Sequence, residues 1–249
     1  MAKNALMSWD VSRYVLFVFL LGKTIRYISY FGFLYFIVRA SNGLMGYSQN
    51  EALFITVTFV FVDTLCQFFF RSVYTFRNSI VTGDFDLVLI KPLNSLFRSL
   101  FGAPDPIDFV TIPPILLLLI WIGFSLQPSL LHISYYILLI LNSILIYAAF
   151  HIFVIGTSLI TLDVDHLIEV FRDLSSMGRF PSDIYTGLLR TVLTFIIPIG
   201  IMYTQPAKAL IGLLNFSSIL GILAVGLIFF VFSLKFWNFA LKRYTSASS

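Results

Sequence analysis

Charge is what this 249-residue chain has least of. Asp, Glu, Lys and Arg make up 11% of it, against about 25% in a soluble domain. Hydrophobic residues make up 59%, and the mean hydropathy is +0.94. So few charges cannot cover a soluble globule of this size, and so apolar a chain is not disordered. Cysteine is nearly missing too: the single Cys66 excludes a disulfide framework and a thiolate metal cage. The three histidines, His132, His151 and His166, form neither a His-Glu-x-x-His motif nor a carboxylate–histidine cluster, so no metal site is expected. The ten-residue alternation of a lipid-facing barrel strand is absent, as is the internal repeat typical of inverted-repeat transporters. No cleavable leader is evident either, because the first apolar run is too long and is interrupted by Lys23 and Arg26. What remains is an all-α polytopic membrane protein.

A helix needs about 20 mostly apolar residues to cross the hydrocarbon layer. Six segments qualify: residues 14–38, 52–70, 110–126, 133–160, 188–203 and 216–234. The third carries Pro113-Pro114 near its start and the fifth carries Pro198 inside, both tolerable where neighbours re-satisfy the freed carbonyls. The whole of 1–249 then reads as one transmembrane domain.

The basic residues orient it. With both termini in the cytoplasm, Lys3, Arg13, Arg71, Arg77, Lys91, Arg98, Arg172, Arg179, Arg190, Lys235, Lys242 and Arg243 lie inside. Only Arg39 and Lys208 lie outside, while Lys23 and Arg26 fall within the first span. That asymmetry is a positive-inside signal, so the net charge of +4 is not a nucleic-acid footprint. The outside loops are short. Two cytoplasmic segments, 71–109 and 161–187, are long and carry apolar positions at helical spacing, which places the working machinery on the cytoplasmic side. The second, with Leu167, Val170, Phe171 and Leu174 between charged residues, reads as an amphipathic helix on the inner surface.

In the first long segment a short helix is expected to end at Gly83, the residue best suited to a left-handed cap. Asp84 and Asp86 follow, then an apolar stretch leading to Lys91-Pro92, where the proline favours an extended residue before it. Gly83-Asp84-Phe85-Asp86 with Leu89-Ile90-Lys91-Pro92 resembles the cytoplasmic loop of ATP-binding-cassette permeases of the type-2 exporter (ABC-2) class, most of all a six-span bacterial and archaeal subfamily. Gly178-Arg179-Phe180-Pro181-Ser182-Asp183-Ile184-Tyr185 and the closing Ala240-Leu241-Lys242-Arg243-Tyr244 extend the likeness over nearly the whole chain. One departure is the short stretch before the first span, where family members carry a longer surface helix.

The resemblance implies a six-helix ABC-2 bundle in the cell membrane that is not itself an enzyme and holds no cofactor. ATP would be bound by separate ABC ATPase subunits. It further implies a second permease subunit, identical or homologous, surrounding membrane lipids, and no nucleic-acid partner. The coupling element that docks on the ATPase would comprise Arg77, Gly83, Asp84, Asp86, Lys91 and Pro92. The residues agree on the missing nucleotide site: Gly22-Lys23-Thr24 ends like a phosphate-binding loop, but the required first glycine is Phe17.

Inside the spans, Lys23 and Asp63 fall at similar depth, about 13 and 10 Å from the inner end at 1.5 Å per residue, and Arg26 lies one turn beyond Lys23. A lone charge there costs roughly 2.5–3.5 kcal/mol. Pairing of Asp63 with Lys23 or Arg26, within about 4 Å, would offset that. Snorkelling of the basic chains and a place along the substrate path remain open for the same residues. His151, in the fourth span, is expected to hydrogen-bond a neighbouring span. An ion-coupled secondary transporter using Asp63, Lys23 and His151 is the alternative to the exporter. An intramembrane enzyme finds no convergent catalytic set, and an assembly subunit without a path of its own is a further possibility.

Overall fold

A computed structural model of the chain describes residues 13–40, 46–102, 104–161 and 165–245. Among these the fold is all-helical, without strands. The expected surface segment before the first span lies outside the described residues. Five long helices follow the hydropathy: α1 (Arg13–Ala40), α2 (Gln49–Phe70), α6 (Pro106–Ser125), α7 (Leu130–Thr161) and α11 (Phe216–Leu241). Between α2 and α6 come α3 (Phe76–Val81), α4 (Asp84–Leu89) and α5 (Ser95–Phe101). After α7 come α8 (Asp165–Ser176), α9 (Gly187–Thr191) and α10 (Gln205–Ile211).

Local chemistry sets several of these boundaries. Ser48 and Glu51 form a reciprocal capping box at the start of α2: the Ser48 N–H donates to the Glu51 carboxylate at 2.7 Å, and the Ser48 hydroxyl accepts from the Glu51 N–H. Asp105 caps α6, with Pro106 in the first turn where its missing N–H costs nothing. Asn215 caps α11 and Asn94 caps α5. The prolines Pro113 and Pro114 sit inside α6 without breaking it.

The core is built on α7. It packs along α11 over much of its length, and α2 packs along α6. Small residues bring the backbones together, as membrane helices need where no water drives them into contact. Asn142 occupies the space left by Gly226 and donates to the Ile222 carbonyl at 3.2 Å. Gly156 admits the Phe236 ring, and Gly123 lies against Phe54. Trp237 and Tyr203, whose sequence positions suggest an aromatic belt, are instead buried in this core.

The fifth crossing is where the structure departs from hydropathy. The segment 188–203 is not one span. Pro198 cannot donate a backbone bond, and Ile197 before it leaves the helical region (φ −119°, ψ 85°). The two arms, Gly187–Ile196 and Gly200–Ile211, meet at 73°. Both of their outer ends lie at one end of the bundle. Arg190 bonds Asp183, which also holds Tyr47 just before α2, and Gly212 abuts His132 at the start of α7. The pair therefore enters and leaves at the same face, a re-entrant hairpin. Its inner bend reaches Ser143, whose hydroxyl donates to the Met202 carbonyl at 2.7 Å. That is about 20 Å along α7 from Leu130, at 1.5 Å per residue.

The crossing itself is made by α8 and the turns Met177–Arg179 and Ser182–Ile184 that follow it. The chain leaves α7 at Thr161, at the end bearing α3 and α4 (the hairpin end), and by Asp183 it has reached the opposite end. The segment read as an inner-surface connector thus spans the bundle. Its apolar face inserts Phe171 against Tyr147, Phe150 and His151, while Glu169, Arg172 and Asp173 stay exposed. Arg179 and Arg190 leave the group of basic residues placed inside: the Arg179 carbonyl accepts from Tyr30 at 3.1 Å, and Arg190 lies at the opposite end. The bias of the remaining basic residues keeps its direction. Six crossings then bring both ends of the described chain to the hairpin end.

In a Cys66→Ala background, single cysteines at Leu188 and Leu213, both exposed, are expected to react with an impermeant maleimide from the same side. Labelling of the two from opposite sides would restore a continuous span.

Candidate functional site

The segment singled out for coupling folds as a helical hairpin. α3 ends at Val81 with Thr82 capping it, Gly83 turns the chain in the left-handed region (φ 78°), and α4 starts at Asp84. The stretch expected to be extended before Lys91-Pro92 is instead helical through Leu89, because the left-handed turn leaves Asp84 and Asp86 in the first turn of α4, where acidic groups suit the helix dipole. Asp84 accepts from the Thr82 hydroxyl at 2.8 Å, and Asp86 accepts from the Tyr244 hydroxyl at 3.0 Å. These carboxylates brace the hairpin.

What anchors it is aromatic. Phe85 is buried, with its ring 5.1 Å from Phe76, 5.3 Å from Tyr244 and 6.3 Å from Trp237. Trp237 and Tyr244 belong to the end of α11 and the residues just after it, so the hairpin is seated on α11. On its other side it continues through the turn Arg71–Thr75 into α2. Arg77 and Lys91 are exposed, and so are the apolar Val81, Leu87, Ile90 (78%) and Leu93. A cavity of about 500 Å³ separates the hairpin from α5, with Lys91 and Arg98 on its wall. The sequence marks the hairpin through Gly83. It gives no sign of Trp237 and Tyr244, because their partners lie far along the chain.

The charges inside the bundle pair differently from expectation. Lys23 forms its ion pair with Asp108 at the start of α6. Asp63 accepts from Gln67 one turn on, at 2.7 Å, and no ion pair joins it to Lys23 or Arg26 among the described residues. The reason is geometric: α6 brings Asp108 to the depth of Lys23, an acid at the inner end of the third span that its position alone would have flagged. Arg26 lies over the Tyr27 ring at 5.3 Å. Among the described residues, His151 does not bond a neighbouring span. Its Nδ1 meets the carbonyl of Tyr147 on its own helix at 3.1 Å, and its ring stacks on Tyr147 at 4.6 Å among Phe70 and Phe171. The rings of Phe70, Tyr74, Tyr147 and Phe171 surround it, and among the described residues no carboxylate bonds it.

A further cluster stands at the opposite end. Asp183 accepts from the Tyr47 hydroxyl at 2.6 Å and from Arg190 at 2.9 Å, and it pairs with Lys208 at 2.7 Å. It joins the α1–α2 connection, the end of the α8 crossing and both arms of the re-entrant hairpin. Burial and the neighbouring carboxylate push the Tyr47 phenol above its ordinary range, so it remains a donor. The sequence separates these four residues by up to 161 positions and gives no hint of the junction.

A six-crossing bundle with a seated hairpin at one end and a re-entrant pair at the other is matched by one family model. The model of ABC-2 family transporter proteins covers residues 24–248. The chain belongs to the ABC-2 transporter family. No curated protein and no solved structure matches it. As an ABC-2 protein it is a permease component of an ABC transporter, a multi-pass membrane protein of a family that is generally not catalytic itself. Membership implies association with an ABC ATPase subunit.

Two substitutions test the geometry. Gly83→Ala is expected to cost roughly 1–2 kcal/mol, the penalty of a side chain in the left-handed region. It should show as faster proteolysis at residues 76–90, with Gly83→Asn losing less. Asp183→Asn removes the charge that Lys208 and Arg190 share, and is expected to lower stability by about 1–3 kcal/mol, read as a fall in thermal midpoint.

Proposed function

We propose that this ABC-2 permease works as an exporter. It pairs with a second permease, identical or homologous, and with two ATPase subunits that bind and hydrolyse ATP, while the permease holds no cofactor of its own. Both termini and the α3–α4 hairpin face the cytoplasm of the cell, and the re-entrant hairpin faces outward. The observation that carries this reading is the seating of the α3–α4 hairpin. It is fixed to α11 by Phe76, Phe85, Trp237 and Tyr244, is continuous with α2, and presents exposed apolar side chains away from the bundle.

Such an element moves as a rigid body. When ATP draws the ATPases together, a hairpin docked in a groove of the ATPase shifts, and α2 and α11 shift with it. Leu87 and Ile90 make the apolar contact, and Arg77 and Lys91 flank it. Asp84 and Asp86 act by holding the hairpin rather than by touching the ATPase. The substrate path runs along the exposed polar face of α8, where Glu169, Arg172 and Asp173 face no other part of the chain's core and a second permease closes the opposite wall. Ion coupling has less support: Lys23 is neutralised by Asp108, and His151 is enclosed by aromatic rings.

The Leu87→Glu, Ile90→Glu double variant tests the docking surface. It is expected to weaken retention of the ATPase that copurifies with the wild-type chain by about tenfold, equivalent to about 1.4 kcal/mol. The thermal midpoint of the permease alone should stay where it is, since both side chains are exposed. Unchanged retention and unchanged ATPase turnover would remove the hairpin from the interface.

A further inference from the structure

Where α1, α2 and α6 meet near the hairpin end there is a cavity of about 340 Å³. Its walls carry three cations, Lys23, Arg26 and Arg71, and two carboxylates, Asp105 and Asp108. Lys23 is paired with Asp108, and the Arg71 Nε lies 3.5 Å from Asp105. Arg26 is the cation left over: among the described residues it forms no ion pair, and the Tyr27 ring is the group it lies over. Just beyond the cavity, Asp63 lies within electrostatic reach of Arg26 and, more weakly, of Arg179; with these counted, four cations face three carboxylates, and one positive charge is left over. Asp63 itself is engaged by Gln67, which also lines the cavity.

The place of that surplus charge matters. Arg26 stands midway along α1, a helix that buries little beyond Leu34 and Val38 and whose exposed surface is mostly apolar. An unpaired guanidinium at that depth is unfavourable unless an anion or water meets it. The cavity has room for one. At Gly22, one turn before Arg26, nothing stands within 4 Å of where a Cβ would be, so the wall there is bare backbone. On either side of the charged level the surface of α1 is hydrocarbon: Val18 and Phe19 before it and Phe33 and Phe36 beyond it are exposed. A charged floor open to one negative charge, bordered by apolar side chains, fits a molecule with an anionic head and a hydrocarbon chain.

We propose that this cavity binds the monoanionic headgroup of an amphiphile. The phosphodiester or carboxylate sits on Arg26 beside Gln67, its approach is made possible by Gly22, and its chain runs deeper along α1 past the exposed Ile25, Phe33 and Phe36. The occupant is either an acidic lipid of the surrounding bilayer or a free amphipathic anion arriving from water. The site does not depend on the exporter reading, and the docking test above can fail without affecting it.

The experiment uses the full chain in nanodiscs of equimolar phosphatidylcholine and phosphatidylglycerol, with trace spin-labelled forms of either lipid. The wild-type chain is expected to hold the labelled phosphatidylglycerol about tenfold more strongly than the labelled phosphatidylcholine at its tightest site, as one unscreened charge in a weakly hydrated setting allows. The preference should vanish in Arg26→Gln, persist in Arg26→Lys, and vanish in Gly22→Leu, which fills the cavity without altering charge. Added decanoate separates the sources: displacement of the labelled lipid identifies a site open to free amphipathic anions, and no displacement identifies a bilayer-lipid site, each consistent with the proposal. Equal retention of the two lipids by the wild-type chain would overturn it, as would a preference that survives Arg26→Gln. A change of oligomeric state in Arg26→Gln with no lipid preference in the wild type would assign Arg26 to a second copy of the chain and likewise overturn it.

Discussion

Four stretches of chain meet at one carboxylate, that of Asp183, and the architecture of the second half follows from where it lies. Tyr47 holds it beside the start of α2, and Lys208 and Arg190 hold it to the two arms that follow. Because Asp183 is at this end, the chain after α7 must already have crossed. Because Arg190 and Lys208 are also there, the apolar stretch around Pro198 must dip in and return. In a membrane, helices gain little from apolar contact with one another, since lipid is as apolar as they are. A charge cluster at the edge of the hydrocarbon can therefore decide between a span and a re-entrant pair.

The same economy of polar contacts runs through the bundle. α1 buries little of its surface. It is held by the buried Leu34 and Val38, by the Lys23–Asp108 ion pair, by the Tyr27 hydroxyl 3.1 Å from that of Thr64, and by the bond from Tyr30 to the Arg179 carbonyl. The tight α7–α11 seam is different: there small residues and the Asn142 amide fill the contact closely. One helix attached by a few polar ties and two buried side chains, and one pair locked by packing, make unequal partners for motion. The α3–α4 hairpin is joined to the locked side through Trp237 and Tyr244, so a push on it reaches α11 and α2 directly.

Much of this was legible in the chain before it was folded. Scarce charge and long apolar runs specify a helical membrane protein, and five of the six expected spans coincide with helices. Ser48 and Glu51, Asp105 and Pro106, and Gly83 mark helix ends because their effects are local. The turn of the α3–α4 hairpin was legible for the same reason. The α8 crossing was not, since its polar face reads as surface when each residue is weighed by hydropathy alone. The partner of Lys23 was not legible either: depth along neighbouring spans points to Asp63, whereas the first turn of α6 sets Asp108 against Lys23.

The sequence by itself determined the class of the protein, five of its apolar spans and the left-handed turn at Gly83. These rest on composition and on interactions between residues a few positions apart. Only the tertiary structure decided which segment makes the fifth crossing, which acid neutralises Lys23, what the hairpin rests on, and that Arg26 is left facing an open cavity. Each of those depends on which distant helices become neighbours. In a bilayer that choice is made by a few ion pairs and small-residue contacts, whose partners a linear chain does not reveal.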